Sequence, residues 1–372
     1  MRSVVFSKIP FEYEKMPNSK ELIEKNLFGN NIGNEYFFNA VVKSLHCEKH
    51  ELFHYRDNMN LDEYNSGIFI QANQIRNGTA SWIRSDLELI KSCNIPFVIV
   101  CVGSDSDANY KIELEQDVRA AVNACYKEIL MRTASIGVRG EWTKSVLVEQ
   151  CGIPDDRIDV IGCPSVRYFG IGLDKFPRSY HFAPDIKIAV NYTAYHYDED
   201  EAIYLNKLLK SYDNSFVMFT DKVEADLLFN KKDVPMNRRH DLLPSTSDHF
   251  MMRQNRCRFM ATQKEMMECM RTFDFSIGSR IHQAIIAILS GCPALLIAHS
   301  QRVLEIAEYH KIPYIYRKEL IDRQPSVETL YYRACAGMIN FYKNYDKGLK
   351  EYVAFLKKNN LVVASDFISD ED

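Results

Sequence analysis

Residues 274–315 read DFSIGSRIHQAIIAILSGCPALLIAHSQRVLEIAEYHKIPYI, and their apolar spacing decides the fold. A short apolar run (274–279) enters a turn and then a helix-length segment over 280–291. A second short run, PALLIA (293–298), leads to helical spacing over 301–311 and a third run at 313–316. Short, continuously apolar strands alternating with helices are the signature of a parallel sheet covered on both faces. Ligands of such sheets bind outside the carboxyl ends of the strands. That edge carries Gly278, Ser279, Arg280 and His282 at one strand-to-helix turn, and Arg302 and Glu305 at the next helix start. Helix-start N–H groups attract anions, and arginine adds a planar cationic fork. Two arginines and a histidine at adjacent strand ends therefore predict a pocket for a compact, highly charged anion. The competing reading is local: Arg280 caps carbonyls and His282 is a satisfied buried histidine.

The same alternation extends upstream. In the second half it covers IKIAVNYTAY (186–195), a helix over 200–212, SFVMFTD (215–221), a helix over 223–229, a basic irregular stretch over 231–258, CRFMAT (257–262) and a helix over 264–272. In the first half it covers a helix over 33–48 capped by Asn34, SGIFIQAN (66–73), a helix over 82–93, IPFVIVCVGSDSD (95–107), a long helix over 111–133, SIGVRG (135–140), a helix over 142–152 and DVIGCPS (159–165). FPRSYHFAP (176–184) loses periodicity and reads as a linker. For 372 residues, at about 100–200 residues per domain, two domains are expected. The boundaries predicted are 1–175 and 185–325, both Rossmann-like α/β units facing a cleft, then 326–372 as terminal helices and a small acidic tail.

Composition excludes several classes. Lys plus Arg (46) against Asp plus Glu (50) gives a net charge of −4, without the basic excess of a general nucleic-acid binder. An acidic substrate must then be met by a local basic pocket. The ten cysteines show no CxxC spacing, and several lie in apolar runs, so reduced thiols and a cytoplasmic address are expected rather than a disulfide scaffold or zinc ribbon. The N-terminus has no continuous apolar segment of signal-peptide type, and no apolar run approaches the roughly 18 residues of a membrane span. Neither GxGxxG nor GxxxxGK[ST] occurs, which disfavours dinucleotide and P-loop readings.

Three weaker patterns have bland readings that outweigh the functional ones. His46, His50 and His54 at i, i+4, i+8 would align on a helix face, and a solvated face is expected over a metal site. Asp105-Ser106-Asp107 superficially matches a metal-binding DxD, and loop aspartates ahead of a helix are more often caps. Arg238, Arg239, Arg253, Arg256 and Arg258 would suit an acceptor diphosphate, and an ordinary solvated loop is the expected alternative.

G-S-R-I-H (278–282), S-G-C-P-A-L (290–295) and the downstream R-V-L-E with I-P together resemble the C-terminal signature of the polysaccharide pyruvyltransferase family. SIGVRGEWTKSVLVEQCGIPDDRIDVIGCPSV (135–166) and NNIGNEYFFNAVV (30–42) resemble two further segments of it, in the right order. Departures from the family pattern are Gln283, where a small residue is usual and where it would crowd the donor pocket, Gln71-Ala72-Asn73 in place of a glycine pair, and Ser300-Gln301 before the downstream arginine. The resemblance implies a glycosyltransferase-B-like arrangement and transfer of the enolpyruvyl carbons of phosphoenolpyruvate to two hydroxyls of one sugar, as a cyclic ketal. It implies no metal and no cofactor beyond phosphoenolpyruvate as co-substrate. His282 is assigned proton transfer, since an unperturbed imidazole exchanges protons near neutral pH. Arg280 is assigned with it as catalytic, holding phosphate or carboxylate; Arg280, Ser279, Arg139, Arg302 and Glu305 are assigned to the donor, and Asn34 and Asp105 to the acceptor side. The acceptor is a surface-polysaccharide precursor, lipid-linked or nucleotide-linked, and a lipid-linked acceptor would bring the protein to the inner membrane surface. The alternatives are a nucleotide-sugar glycosyltransferase on the same scaffold and a non-catalytic glycan-binding protein.

Overall fold

The computed structural model describes residues 2–6, 19–26, 28–46, 49–53, 60–106, 110–174, 180–193, 197–234 and 239–368. Its first sheet has strands β1 (Arg2–Phe6), β2 (Lys49–Phe53), β3 (Ser66–Ile70) and β4 (Phe97–Val100), all parallel in the order β2-β1-β3-β4. A parallel pair, β5 (Ile136–Val138) and β6 (Ile158–Val160), continues this sheet through the bridge Val102↔Val138. Helices α1 (Ser19–Glu24), α2 (Gly33–Lys43), α3 (Ala80–Lys91), α4 (Gln116–Leu130) and α5 (Glu141–Cys151) belong to this unit.

The second sheet contains β7 (Ile188–Asn191), β8 (Ser215–Phe219), β9 (Cys257–Phe259), β10 (Phe275–Gly278), β11 (Ala294–Ala298) and β12 (Tyr314–Tyr316), parallel in the order β12-β11-β10-β7-β8-β9. Its helices are α6 (Glu199–Ser211), α7 (Lys222–Asn230), α8 (Phe250–Arg253), α9 (Gln263–Met270), α10 (Ile281–Leu289), α11 (Gln301–His310) and α12 (Arg317–Arg323). The chain runs outward from β7 to β9, then returns to lay β10 on the other side of β7. That reversal is the topological switch point of a doubly wound sheet, where a crevice opens at the strand ends.

The α/β fold with parallel sheets is the expected one; the differences lie in the first unit. The N-terminal residues, for which no element was expected, supply β1, with Val4 and Val5 fully buried. Its apolar run is only the three residues Val4, Val5 and Phe6. The helix expected over 33–48 ends at Lys43, and residues 49–53 form a strand. His46 and His50 therefore share no helix face, while His54 lies outside the described residues. Asn34 does not cap α2: Ile32 holds the N-cap position, and Asn34 Nδ2 donates to the Gly29 carbonyl at 3.1 Å. The cap is instead an Asn31 turn, whose Oδ1 accepts from Gly33 N at 2.7 Å.

A 32-residue helix, α13 (Val327–Lys358), closes the chain. Tyr342 donates to the Ile288 carbonyl at 3.0 Å on the second unit, whereas Tyr352 bonds Ser44 at 2.9 Å on the first. Beyond it, Asn359 Oδ1 accepts from the amides of Ala134 and Ser135, both at 3.1 Å. No described helix is long and apolar enough to cross a membrane.

Candidate active site

α10 is apolar almost all round, so it is buried on every side but one. Of its residues only His282 is partly exposed. The strand ahead of it stops at Gly278, where a Cβ would fall 2.0 Å from the Asn191 carbonyl oxygen. Glycine therefore lets β10 and β7 close together at the switch point. Asn191 Oδ1 accepts from Arg280 N at 2.9 Å, and Ser279 Oγ accepts from Thr193 N at 2.9 Å. Ser279 thus tightens the turn that presents Arg280 and His282.

A cleft of about 260 Å³ lies over this turn. The second unit lines it with Thr193, Thr220, the 279–283 turn, His299 and Arg302; the first contributes Asn31–Asn34, Tyr36, Ala72, Asn73 and Arg139. The N-termini of α10, α11 and α2 converge there, and the first-turn N–H groups of each have no intrahelical acceptor. Segments of the two units are pinned across it: Ile32 N donates to Thr220 O at 3.0 Å and Lys222 N to Asn30 O at 3.0 Å.

Arg280 lines the cleft, and its guanidinium pairs with Asp221 and donates from Nε to the Tyr192 carbonyl at 3.1 Å. Asp221 is 1% exposed, and its other oxygen accepts from Asn31 Nδ2 at 2.9 Å. Arg280 thus stands in the cleft where it was expected, and it also forms a strut tying the β10 turn to α7 and, through Asp221, to the first unit. Asp221 was missed in the sequence, although Asp221-Lys-Val-Glu224 is a capping-box signature at a strand-to-helix turn.

Arg139, at the end of β5, is 4% exposed. Its Nε contacts Cys101 Sγ at 3.3 Å and it lies over the Phe37 ring at 5.6 Å. Its Nη2 is buried with no hydrogen-bond partner. Arg302, in the first turn of α11, has its pKa lowered by burial and then by the charge of Arg139, with Asp105 partly offsetting. Neither guanidinium forms an ion pair among the described residues. Arg139 is buried and Arg302 partly buried, and an anion bound in the cleft would offset the cost of their desolvation.

Glu305 does not line the cleft. Its carboxylate reaches the first turn of α5 on the other unit, accepting from Thr143 N at 3.0 Å and bonding Thr143 Oγ1 at 2.9 Å. Gly140 leaves room for it, since a Cβ there would sit 2.6 Å from Glu305 Cβ. Burial raises its pKa to about 7 against the lowering effects of Thr143, Arg139 and Arg302. Its expected donor contact gives way to a helix cap between units, because a carboxylate is drawn to unpaired N–H groups.

Asn34 lines the cleft, whereas Asp105 is not among its lining residues, and its Oδ1 accepts from Ser106 N at 3.0 Å. Asp107 and Arg238 lie outside the described residues. Among the described residues no cluster of three His, Cys, Asp or Glu side chains is arranged to hold a metal ion. The basic stretch is not one solvated loop: Arg239 pairs with Asp241 and Glu199, Arg253 lies on α8, Arg258 lies on β9, and Arg256 donates to the carbonyls of Leu209, Tyr212 and Ser215. Gln283 lines the cleft but turns its amide Nε2 towards the sulfurs of Met266 and Met270, at 3.8 and 3.7 Å.

His282 is clamped by packing. Phe37 stacks on it at 6.0 Å with 7° between planes, and Tyr36 meets it edge-on at 6.5 Å. A Cβ on Gly33 would fall 2.3 Å from its Nδ1. An oriented imidazole thus stands beside two unpaired arginines at helix N-termini, a set able to hold a compact anion and move a proton on it.

The fold is shared with solved structures at low identity. The HepE protein of Anabaena, in complex with UDP, aligns with TM-score 0.50 and 10% identity over 96% of this chain and 99% of its own. The UDP-GlcNAc 2-epimerase of Neisseria meningitidis aligns with TM-score 0.48 and 12% identity over 96% and 99%. No curated protein matches in sequence. The sequence model described as polysaccharide pyruvyl transferase matches residues 31–301, a span that runs from the Asn31 turn through Arg139 and His282 to the start of α11. With most of its length matched, the chain belongs to the polysaccharide pyruvyl transferase family, transferases of glycan biosynthesis.

Proposed function

We propose that this protein transfers pyruvate from phosphoenolpyruvate to two hydroxyls of one sugar in a surface-polysaccharide precursor, forming a cyclic ketal. The observation that carries the reading is the pair of arginines lining the cleft with His282, Arg139 buried and Arg302 partly buried, neither in an ion pair among the described residues. Phosphoenolpyruvate brings a carboxylate and a phosphate a few bonds apart, which matches two guanidinium groups backed by helix N-termini.

In this reading His282 protonates carbon 3 of the enol, and carbon 2 becomes an oxocarbenium-like electrophile. A first sugar hydroxyl adds there, phosphate leaves with its C–O bonding pair, and a second hydroxyl closes the ring. Of the two protons lost by the hydroxyls, one restores His282 and one leaves on phosphate, so the step needs no other reactant. Arg139 and Arg302 stabilise the charge gathering on the leaving phosphate in a poorly solvated cleft. Asn73, whose Oδ1 is buried in the cleft wall without a partner, is suited to accept from an acceptor hydroxyl. The acceptor is carried on a lipid or nucleotide diphosphate, and the reaction belongs on the cytoplasmic side of the membrane.

The test is calorimetric binding of phosphoenolpyruvate and of UDP to the full chain and to Arg139→Ala and Arg302→Ala. Phosphoenolpyruvate binding that weakens in both variants supports the reading. Binding of UDP alone, unaffected by either substitution, contradicts it in favour of a nucleotide-sugar transferase.

A further inference from the structure

The Gly162-Cys163-Pro164-Ser165 loop after β6 reaches the back of the histidine. Cys163 Sγ lies 3.7 Å from His282 Nε2, and Cys163 is fully buried. The loop is anchored where it matters: Cys163 N donates to His310 Nε2 at 2.8 Å, and Cys163 Sγ bonds Ser165 Oγ at 3.0 Å. The other ring nitrogen, Nδ1, lies on the side of Gly33, a cleft residue. The imidazole therefore has one nitrogen facing buried sulfur and one facing the wall where substrate binds.

We infer that Cys163 is the positioning residue of His282: its sulfur accepts the Nε2 hydrogen, leaving Nδ1 to exchange the proton with substrate. The inference rests on His282 being the proton-transfer group proposed above. A ring nitrogen's partner sets the tautomer of the other nitrogen, and partners of that kind typically change activity 10–100-fold when removed from the analogous metal-bound histidines.

The surroundings favour sulfur as acceptor. Arg139 from the end of β5, Cys101 from the end of β4, Ser165 in the same loop, Tyr36 from α2 and Tyr352 from α13 are the titratable or polar groups around the pair. Burial pushes the Cys163 thiol up, but hydrogen bonds from Cys101 and His282 and the charges of His282 and Arg139 bring it well below its ordinary value. Cys101, lacking the histidine, moves the other way through burial and its contact with Cys163.

The experiment uses the full chain labelled with 15N,13C-histidine. His282 is assigned by its loss in His282→Gln, and its tautomer is read where the ring is neutral. The native protein should show hydrogen on Nε2. Cys163→Ala should redistribute the tautomers and lower kcat roughly 10–100-fold with KM for phosphoenolpyruvate unchanged; Cys163→Ser should restore part of both. If Cys163→Ala is poorly folded, the serine variant carries the comparison alone, with an intermediate tautomer ratio and kcat expected. Hydrogen on Nδ1 in the native protein, or native tautomer and kcat in the folded variants, overturns the inference. Because the tautomer is read without turnover, a native protein inactive on phosphoenolpyruvate would refute the proposed reaction while the spectra still decided the role of Cys163.

Discussion

Replacing Glu305 with glutamine isolates one buried proton. Its carboxyl rises from 4.5 to about 7 because burial outweighs the bonds from Thr143. Below the unfolded value the group is protonated in both states and contributes no pH dependence. Between the two values the native state holds a proton that the unfolded chain has released, so stability falls as pH rises, until both forms are ionised above the folded value. The span corresponds to roughly 3 kcal/mol at 1.36 kcal/mol per unit. Glutamine retains an acceptor for Thr143 N and cannot ionise. Denaturant unfolding of the native protein and Glu305→Gln from about pH 5 to pH 8 should show similar stabilities at the acid end, with the variant gaining up to roughly 3 kcal/mol at the alkaline end. Glu35, also raised by burial to about 7, titrates in the same window, and taking the difference between the two proteins removes it. A pH-independent difference, or a native protein that gains on the variant as pH rises, would refute the reasoning.

Other perturbations separate the strut from the chemistry. Asp221→Ala leaves the Arg280 guanidinium without its carboxylate and should cost about 3–5 kcal/mol in thermal or denaturant unfolding. Arg139→Ala and Arg302→Ala should instead raise KM for phosphoenolpyruvate roughly 10–100-fold, the loss expected for one charge-assisted contact, with little change in melting temperature. His282→Gln should lower kcat about 10²–10⁴-fold in steady-state assays while phosphoenolpyruvate still binds. Gly33→Ala puts a methyl group 2.3 Å from the present position of His282 Nδ1, and should depress kcat by about 10²-fold, as misplacement of a reacting group by about 1 Å does.

Much of the second unit was legible because its short strands are continuously apolar and alternate with amphipathic helices bounded by turn residues. IGSRIH announces a strand end and a helix start, and Arg280 and His282 do stand at the switch point. What spacing along one chain could not reveal was which partner each side chain meets. Arg280 and Arg302 look alike in sequence, yet Asp221 reaches only the former, because β8 ends beside β7, although Asp221 and Arg280 are 59 positions apart in the chain. Glu305 sits one helical turn after Arg302 and was read as its companion, whereas its carboxylate faces α5 of the other unit. In the first unit β1 and β2 were missed because RSVVF and KHELF are only partly apolar, unlike the continuous apolar runs read elsewhere, and because 36–45 masks the helix end at Lys43 with continued apolar residues. Cys163 was visible only as part of a motif; its contact with His282 spans 119 positions.

The most direct test of the account is a reaction containing the purified protein, phosphoenolpyruvate and a panel of lipid- and nucleotide-diphosphate sugars, followed by mass spectrometry and NMR. The account predicts a product heavier by one pyruvate less one water, with a quaternary ketal carbon bonded to two sugar oxygens, formed with release of phosphate and lost in His282→Gln. A sugar transferred intact from a nucleotide donor, with phosphoenolpyruvate neither bound nor consumed, would contradict it.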